Sequence, residues 1–265
     1  MNFSGSGLVK KGFLFAAAML LTNVISMCKE MSLASTFGIN DSIDAVLLAF
    51  LLPGIAISLF TNAVSPSLTP IYLQILEKDK KAASELVESV LLLSAVSLCV
   101  LLVVIGCGNP VALPAVAKAF SAPKIAQTIY LGWFWLPAVF ISGLASIWTA
   151  LAFAHSHFVL GALLPAAMPL MTIPIVLLCG PIYGVVAIPI GFVVGTSLHL
   201  FLLRLFVKRF GIPIWPRWHG MTPELKRVAY MFLPMLGSGL VGSTISLADQ
   251  FFAARLNSGD VALLN

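Results

Sequence analysis

The 265-residue chain carries 15 basic and 10 acidic residues for a net charge of +5, yet only 9% of its residues are charged and 60% are hydrophobic. Soluble domains carry about 25% charged residues, so this composition excludes an ordinary water-soluble enzyme and predicts helices embedded in lipid, in keeping with a mean hydropathy of +1.04. The basic residues are dispersed among apolar runs and form no basic face, which argues against a nucleic-acid partner and for a role in membrane topology.

In chain order, a window of about 19 residues predicts helices at Gly12–Cys28, Ser42–Ala63, Val87–Gly106, Ile129–Ala154, Phe158–Gly180, Gly184–Phe206 and Val228–Ala254, with an eighth opening near Asp260. Lys10 and Lys11 precede the first run as in a signal peptide, but no small-residue cleavage site follows, so this span is expected to remain in the mature protein. The expected fold class is an all-α membrane protein: a polytopic helical bundle of about seven complete transmembrane helices plus the start of an eighth. Its expected organisation is a six-helix lobe over residues 1–206, a basic cytoplasmic linker over 207–227, and the first helix of a second lobe with a truncated start of the next over 228–265.

With the N-terminus in the cytoplasm, eleven of the fifteen basic residues fall on the inner side, and only Lys29, Lys118, Lys124 and Arg255 fall outside. That asymmetry selects the orientation. The inner segments Leu76–Lys81 and Val207–Gly220 read as solvated connectors, with Trp215 and Trp218 suited to an interfacial belt and the basic residues able to attract anionic lipid.

Prolines punctuate the spans at Pro53, Pro137, Pro165, Pro169, Pro174, Pro189 and Pro234. Each removes a backbone donor, so the freed carbonyls need neighbours or water, and several together favour a bundle that encloses a cavity and changes shape. Ionisable groups at membrane depth cost a few kcal/mol unless they face a partner or water. Lys29 and Glu30 are expected to end the first helix, Asp41 and Asp44 to open the second, and Asp249 and Arg255 to lie late in the seventh. Lys29 suits a helix C-terminus and Asp44 a cap, or both line a cavity. Asp249 lies in an apolar run and partners a base such as Lys29 or Arg255, or forms part of a polar lining; Gly237, Gly239 and Gly242 before it suit close packing.

Cys28, Cys99, Cys107 and Cys179 form no CxxC pair and read as small buried hydrophobes. His155 and His157 stand in a short turn without a nearby Cys or carboxylate, and His199 on an apolar helix reads as a hydrogen-bonded core residue. There is no phosphate-binding glycine loop, paired-carboxylate motif or nucleophile elbow. Neither enzymatic catalysis, nor a cofactor, nor a metal is expected.

The stretch SMCKEMSLASTFGINDSIDAVLL at Ser26–Leu48 weakly matches SLADQFFAARLNSGDVALL at Ser246–Leu264, as expected of a transporter built from repeated halves. The segment STFGINDSIDAVLLAFLLPGIAISLF from Ser35, together with FVLGALLPAAMPL at Phe158–Leu170 and PMLGSGLVGSTISLADQFFAARLNSGDV at Pro234–Val261, resembles the MviN/MurJ lipid II flippases of the multidrug/oligosaccharidyl-lipid/polysaccharide exporter superfamily. The most specific points are Phe37–Gly38, Asp44–Ala45 and Leu52–Pro53.

That resemblance implies a multi-pass protein of the bacterial inner membrane. It would move a polyprenyl-diphosphate-linked saccharide by alternating access, with membrane lipids, the lipid-linked cargo and a coupling ion as partners. Members have about twice as many helices, so the chain is expected to be an N-terminal half plus helix 7, as a fragment or a truncated product. By resemblance Lys29 stands at a cavity arginine position, Glu30 at the acidic position after it, and Asp44 at the helix 2 aspartate; Asp249 and Arg255 complete the expected substrate-binding set. Asn23 and Ser35 replace basic positions, and Ile57 and Ser58 replace paired arginines. Fewer cations hold a diphosphate less strongly, which keeps three alternatives open: another exopolysaccharide precursor, a cation-coupled antiporter, and a non-transporting scaffold.

Overall fold

The computed structural model describes residues 5–38, 41–117 and 120–253, of which 5–9, 11, 41 and 241–253 are described by their backbone alone. Among the described residues there is no strand, and the α-helices in chain order are α1 (Gly5–Phe37), α2 (Asp41–Leu76), α3 (Lys80–Val116), α4 (Ala122–Ala154), α5 (Phe158–Leu163), α6 (Ala167–Tyr183), α7 (Ala187–Arg209) and α8 (Pro223–Ala253). Short 3₁₀ turns at Leu164–Ala166 and Gly184–Val186 join α5 to α6 and α6 to α7. Five helical segments among the described residues are long and apolar enough to cross a membrane, the last being the 52-residue run Phe158–Arg209.

The helices outrun the apolar windows that locate them. The 37 residues of α3 extend about 55 Å at 1.5 Å per residue, well beyond a hydrocarbon core of about 30 Å. Helical hydrogen bonds continue into the polar ends, which a hydropathy window does not register. At the α2–α3 corner the connector therefore shrinks to residues 77–79, and Asp79 caps α3 by accepting from the Lys81 N–H at 2.8 Å. At the other end, α1 continues past Cys28 to Phe37 and stops at Gly38, whose φ of 66° only a residue without a Cβ adopts freely. Lys29 and Glu30 are consequently interior to α1, which corrects the expectation that they end the helix and removes the helix-end explanation for Lys29.

Most of the prolines are absorbed without a break: Pro53, Pro66 and Pro70 all lie inside α2, and Pro137 and Pro234 lie inside α4 and α8. The interruption comes at Pro165, within the first 3₁₀ turn. Just before it, the Ala162 carbonyl accepts a hydrogen bond from the Thr22 hydroxyl of α1 at 2.9 Å, the compensation a broken helix needs in lipid. After it, α6 and α7 fold back on each other around Gly184, where φ is +61°. Gly191 lies against Thr172 and Gly195 against Met168, a register that only antiparallel helices give; a Cβ on Gly195 would sit 2.5 Å from the Met168 carbonyl oxygen.

Helices α2 and α4 form the centre of the bundle, with α3 and α7 against α4, α8 against α2, and α1 outermost against α5 and α6. Leu68, Leu98, Leu151, Leu203 and Leu225 fill the main core, and Ala45, Ala49, Trp135 and Val176 a second one toward the start of α2. The outer face is equally apolar: Phe13, Leu20 and Met27 of α1 and Val96, Val103 and Val111 of α3 are exposed. Lipid is the solvent there, so exposure costs nothing. The same reason corrects the expectation for the cysteines, since Cys28, Cys99 and Cys107 are free and exposed and only Cys179 is half-buried.

Candidate functional site

Four of the described charged residues toward the α1–α2 and α3–α4 end form two ion pairs. Lys29 is one residue from Glu30 on α1, and their side chains meet at 2.6 Å; the lysine is 18% exposed and the carboxylate 60%. Asp44 stands in the first turn of α2 and is 1% exposed. Its Oδ2 accepts from Lys124 Nζ, in the first turn of α4, at 3.2 Å. The lysine is 10% exposed, and its ammonium also lies 3.9 Å from the centre of the Phe120 ring. Desolvating two charges costs several kcal/mol per ion, which is recovered only when they meet in good geometry with further contacts. Asp44 is thus buried together with a lysine from α4.

Lys124 belongs to no site predicted from the sequence. It lies 80 residues from Asp44, with no local motif joining them. The available clue is topological: both open helices at the same end of the bundle, so a buried carboxylate there needs one of the few cations assigned to that side. Asp249 is reached by the backbone of α8, but its side chain lies outside the described residues, as does Arg255 entirely.

The opposite end is polar and accessible. The segment 210–222 between α7 and α8 is pinned to α3 by His219 Nε2 and Glu88 Oε2 at 2.5 Å and by the Arg217 N–H donating to the Glu88 carbonyl at 3.3 Å. Arg204 covers the Trp215 ring at 5.0 Å, and Arg227 donates to Gln74 Oε1 at 3.2 Å. In the α4–α5 turn, His155 Nε2 shares a hydrogen bond with the Tyr72 hydroxyl at 2.9 Å. Burial, reinforced by the neighbouring His157, holds the His155 imidazole below its ordinary pKa. The buried Nε2 of His199 has no hydrogen-bond partner among the described residues.

Between these ends a cavity of about 740 Å³ opens among α2, α3 and α8. Its walls are leucine, isoleucine, valine, alanine and phenylalanine, relieved by Ser67, Ser94 and Ser97 and by Gly108. It is an apolar slot, separate in character from the ion-paired end.

Long apolar helices around a buried ion pair, with a slot between helices, define a polytopic helical membrane protein. The chain belongs to the lipid II flippase MurJ family, whose profile matches residues 33–265. It is 22% identical over 255 residues to the probable lipid II flippase MurJ of Rickettsia prowazekii (strain Madrid E), covering 95% of this chain and 50% of that protein. Its fold is similar to that of lipid II flippase MurJ in an inward closed conformation, with a TM-score of 0.79 at 17% identity over 94% of this chain and 52% of the other. A multidrug resistance MATE family transporter of the MOP superfamily in an outward-facing conformation aligns at a TM-score of 0.74 and 16% identity, over 91% of this chain and 54% of that one. The chain thus spans about half the length of the relatives it matches.

Proposed function

We propose that this chain forms the N-terminal portion of a flippase that carries a polyprenyl-diphosphate-linked saccharide, lipid II or a related envelope precursor, from the inner to the outer leaflet of the bacterial plasma membrane by alternating access. The observation that carries this reading is family membership across residues 33–265, joined to a lysine held mostly out of solvent within an apolar helix. In this reading the α6–α7 hairpin counts as two crossings, so α1 through α8 provide seven, with an eighth opening near Asp260. The N-terminus is cytoplasmic, residues 1–206 are the first lobe, 207–227 the basic linker, and 228–265 the start of the second lobe.

Lys29 offers its charge to the diphosphate and exchanges Glu30 for it, a trade possible because Glu30 is largely exposed and loses little on release. Asp44, Asp249 and Arg255 supply polar or paired groups along the path. Complementation of a flippase-depleted bacterium by the full-length protein is the test: growth is expected with the native sequence and is lost with Lys29→Ala at equal membrane abundance. Growth with Lys29→Ala at the native rate removes Lys29 from the site.

A second reading, a cation-coupled antiporter of the same superfamily, is favoured by one observation, the fully buried Asp44. Proton or cation exchange through it requires Lys124 to yield, so Asp44→Asn would abolish cation-dependent efflux while Lys29→Ala would leave it intact.

A further inference from the structure

Leu98 and Asn109 stand about three turns apart on the α4-facing side of α3, and each fills a glycine notch in α4. A Cβ added to Gly143 would meet Leu98 Cδ1 at 2.6 Å, and one added to Gly132 would meet Asn109 Nδ2 at 2.8 Å. The two contacts repeat one packing motif, with a leucine in one and an amide in the other. Leucine suits such a notch because it brings no polar atom. Asn109 is wholly buried, yet neither Nδ2 nor Oδ1 has a hydrogen-bond partner among the described residues, an arrangement that an apolar residue of similar shape would avoid. The closeness of Gly132 leaves no room for a water between the amide and α4. Packing alone therefore does not account for an amide at this position.

The backbone of α3 is weakest in the same place. Gly106, Gly108 and Pro110 fall within 106–110. Pro110 has no N–H for the Gly106 carbonyl, and Pro114 has none for the Pro110 carbonyl. Nothing lies within 4 Å of a Cβ placed on Gly108, so there is open space beside the turn, and helices bend at such proline and glycine positions. The packing divides here as well. Leu98 and Ile105, before the turn, belong to the main core, whereas Leu113, after it, belongs with Leu48, Leu51 and Ala117 to a separate cluster. Pro53 bounds that cluster on α2 as Pro110 does on α3.

We propose that α3 is jointed at 106–110 and has a second, bent state, in which its outer segment moves with the smaller cluster against the main core. In that state the Asn109 amide leaves the Gly132 notch and donates to a backbone carbonyl that the prolines leave free, that of Gly106 or Pro110. The orphaned amide raises the free energy of the straight state and so keeps the two states close in population. The joint goes beyond the flippase reading and does not depend on it, since it is read from the packing of α3 alone.

The experiment places spin labels at Val111→Cys and Ile182→Cys, both exposed, in full-length protein freed of its native cysteines and held in lipid nanodiscs. The distance distribution between the labels is the readout. Gly132→Ala, which drives the amide out of its notch, should enlarge the bent population about tenfold. Asn109→Leu should remove that population and raise the thermal midpoint, because the leucine seats as Leu98 does. Pro110→Ala restores an N–H to the Gly106 carbonyl and should also leave a single distance with Asn109 intact, so the joint is tested even where Asn109→Leu folds poorly.

A single distance in the native protein that Gly132→Ala leaves unchanged overturns the proposal, since α3 then has no second state. Two distances that persist in Pro110→Ala overturn it too, because the movement lies elsewhere. So does a lower midpoint in Asn109→Leu with the native distribution retained, which makes the amide a packing residue. Failure of the flippase reading looks different: the native protein would not support growth, yet its labels would still report the bend.

Discussion

At the end of the bundle where α1 leads to α2 and α3 to α4, one ion pair is enclosed: Asp44 is 1% exposed and Lys124 10%, with an aromatic ring against the ammonium. At the other end the ionic contacts stay within reach of water, with Lys81 and Glu85 86% and 39% exposed and His219 and Glu88 29% and 18%. The distances are comparable, but the energetics are not. An exposed pair exchanges one set of water contacts for a weak attraction, whereas a buried pair is tolerated only while both partners remain. The same chemistry therefore serves as a structural commitment at one end and as an adjustable clasp at the other.

Removing one partner of the enclosed pair gives the largest expected effect. Lys124→Ala leaves the Asp44 carboxylate buried without its ammonium and should destabilise the protein by about 3–5 kcal/mol, read as a fall in the thermal midpoint in detergent. The double variant Asp44→Asn with Lys124→Met should recover most of that loss, because an apolar neighbour does not need a charged partner. If Lys124→Ala unfolds at the native midpoint, the contrast between the two ends disappears. If the double variant is stable but inactive in complementation, the pair serves transport and not folding.

A packing change without charge tests whether the contrast is electrostatic at all. Gly195→Ala drives a methyl against the Met168 backbone in the α6–α7 hairpin, where neither helix can yield by turning a side chain. Overpacking of this sort costs about 1–3 kcal/mol, less than breaking the buried pair. A midpoint lower than that of Lys124→Ala would rank steric fit above ion pairing as the restraint on this bundle.

These cases mark what was legible in advance. Helical class and the approximate positions of the spans could be read because lipid demands long apolar runs with internally satisfied backbones. The ends of the helices could not, since Lys80 or Ser35 continues a helix through backbone hydrogen bonding that hydropathy does not encode. In the candidate site, Lys29 and Asp44 stand out in the sequence as charges in apolar runs, whereas Glu30 is largely exposed. Lys124 does not stand out, because its significance lies in a contact 80 residues distant. The apolar slot was equally hidden: Ser94 and Ser97 look like ordinary small residues of a span until α2 and α8 are placed beside them.

A smaller effect is expected from His155 at the accessible end. Burial and His157 lower its folded pKa, so below about pH 6.5, the ordinary imidazole value, the unfolded chain binds the proton first. Stability therefore falls as pH drops through that value toward the folded pKa and levels off above it. His155→Gln should flatten this part of the stability profile, and His157→Gln should flatten it less, since burial is the larger cause. A native profile that rises on acidification would reverse the assignment of which state holds the neutral ring.

The smallest effect belongs to His219→Ala. Its contact with Glu88 is partly solvated, so the global cost should be within about 0–1 kcal/mol, hardly visible in a thermal midpoint. Locally the consequence is greater, because the His219 side chain and the Arg217 N–H both tether the 210–222 segment to the Glu88 position. Amide exchange in that segment should accelerate while exchange in α2 and α4 is unchanged, and Glu88→Gln should give a weaker version of the same pattern because its amide oxygen still accepts. Slowed or unaltered exchange would mean that the segment is held by Trp215 against Arg204 instead, and Arg204→Ala would then produce the loosening. Either result locates the clasp in a single named contact, which the enclosed pair does not permit, since breaking it disturbs the whole bundle.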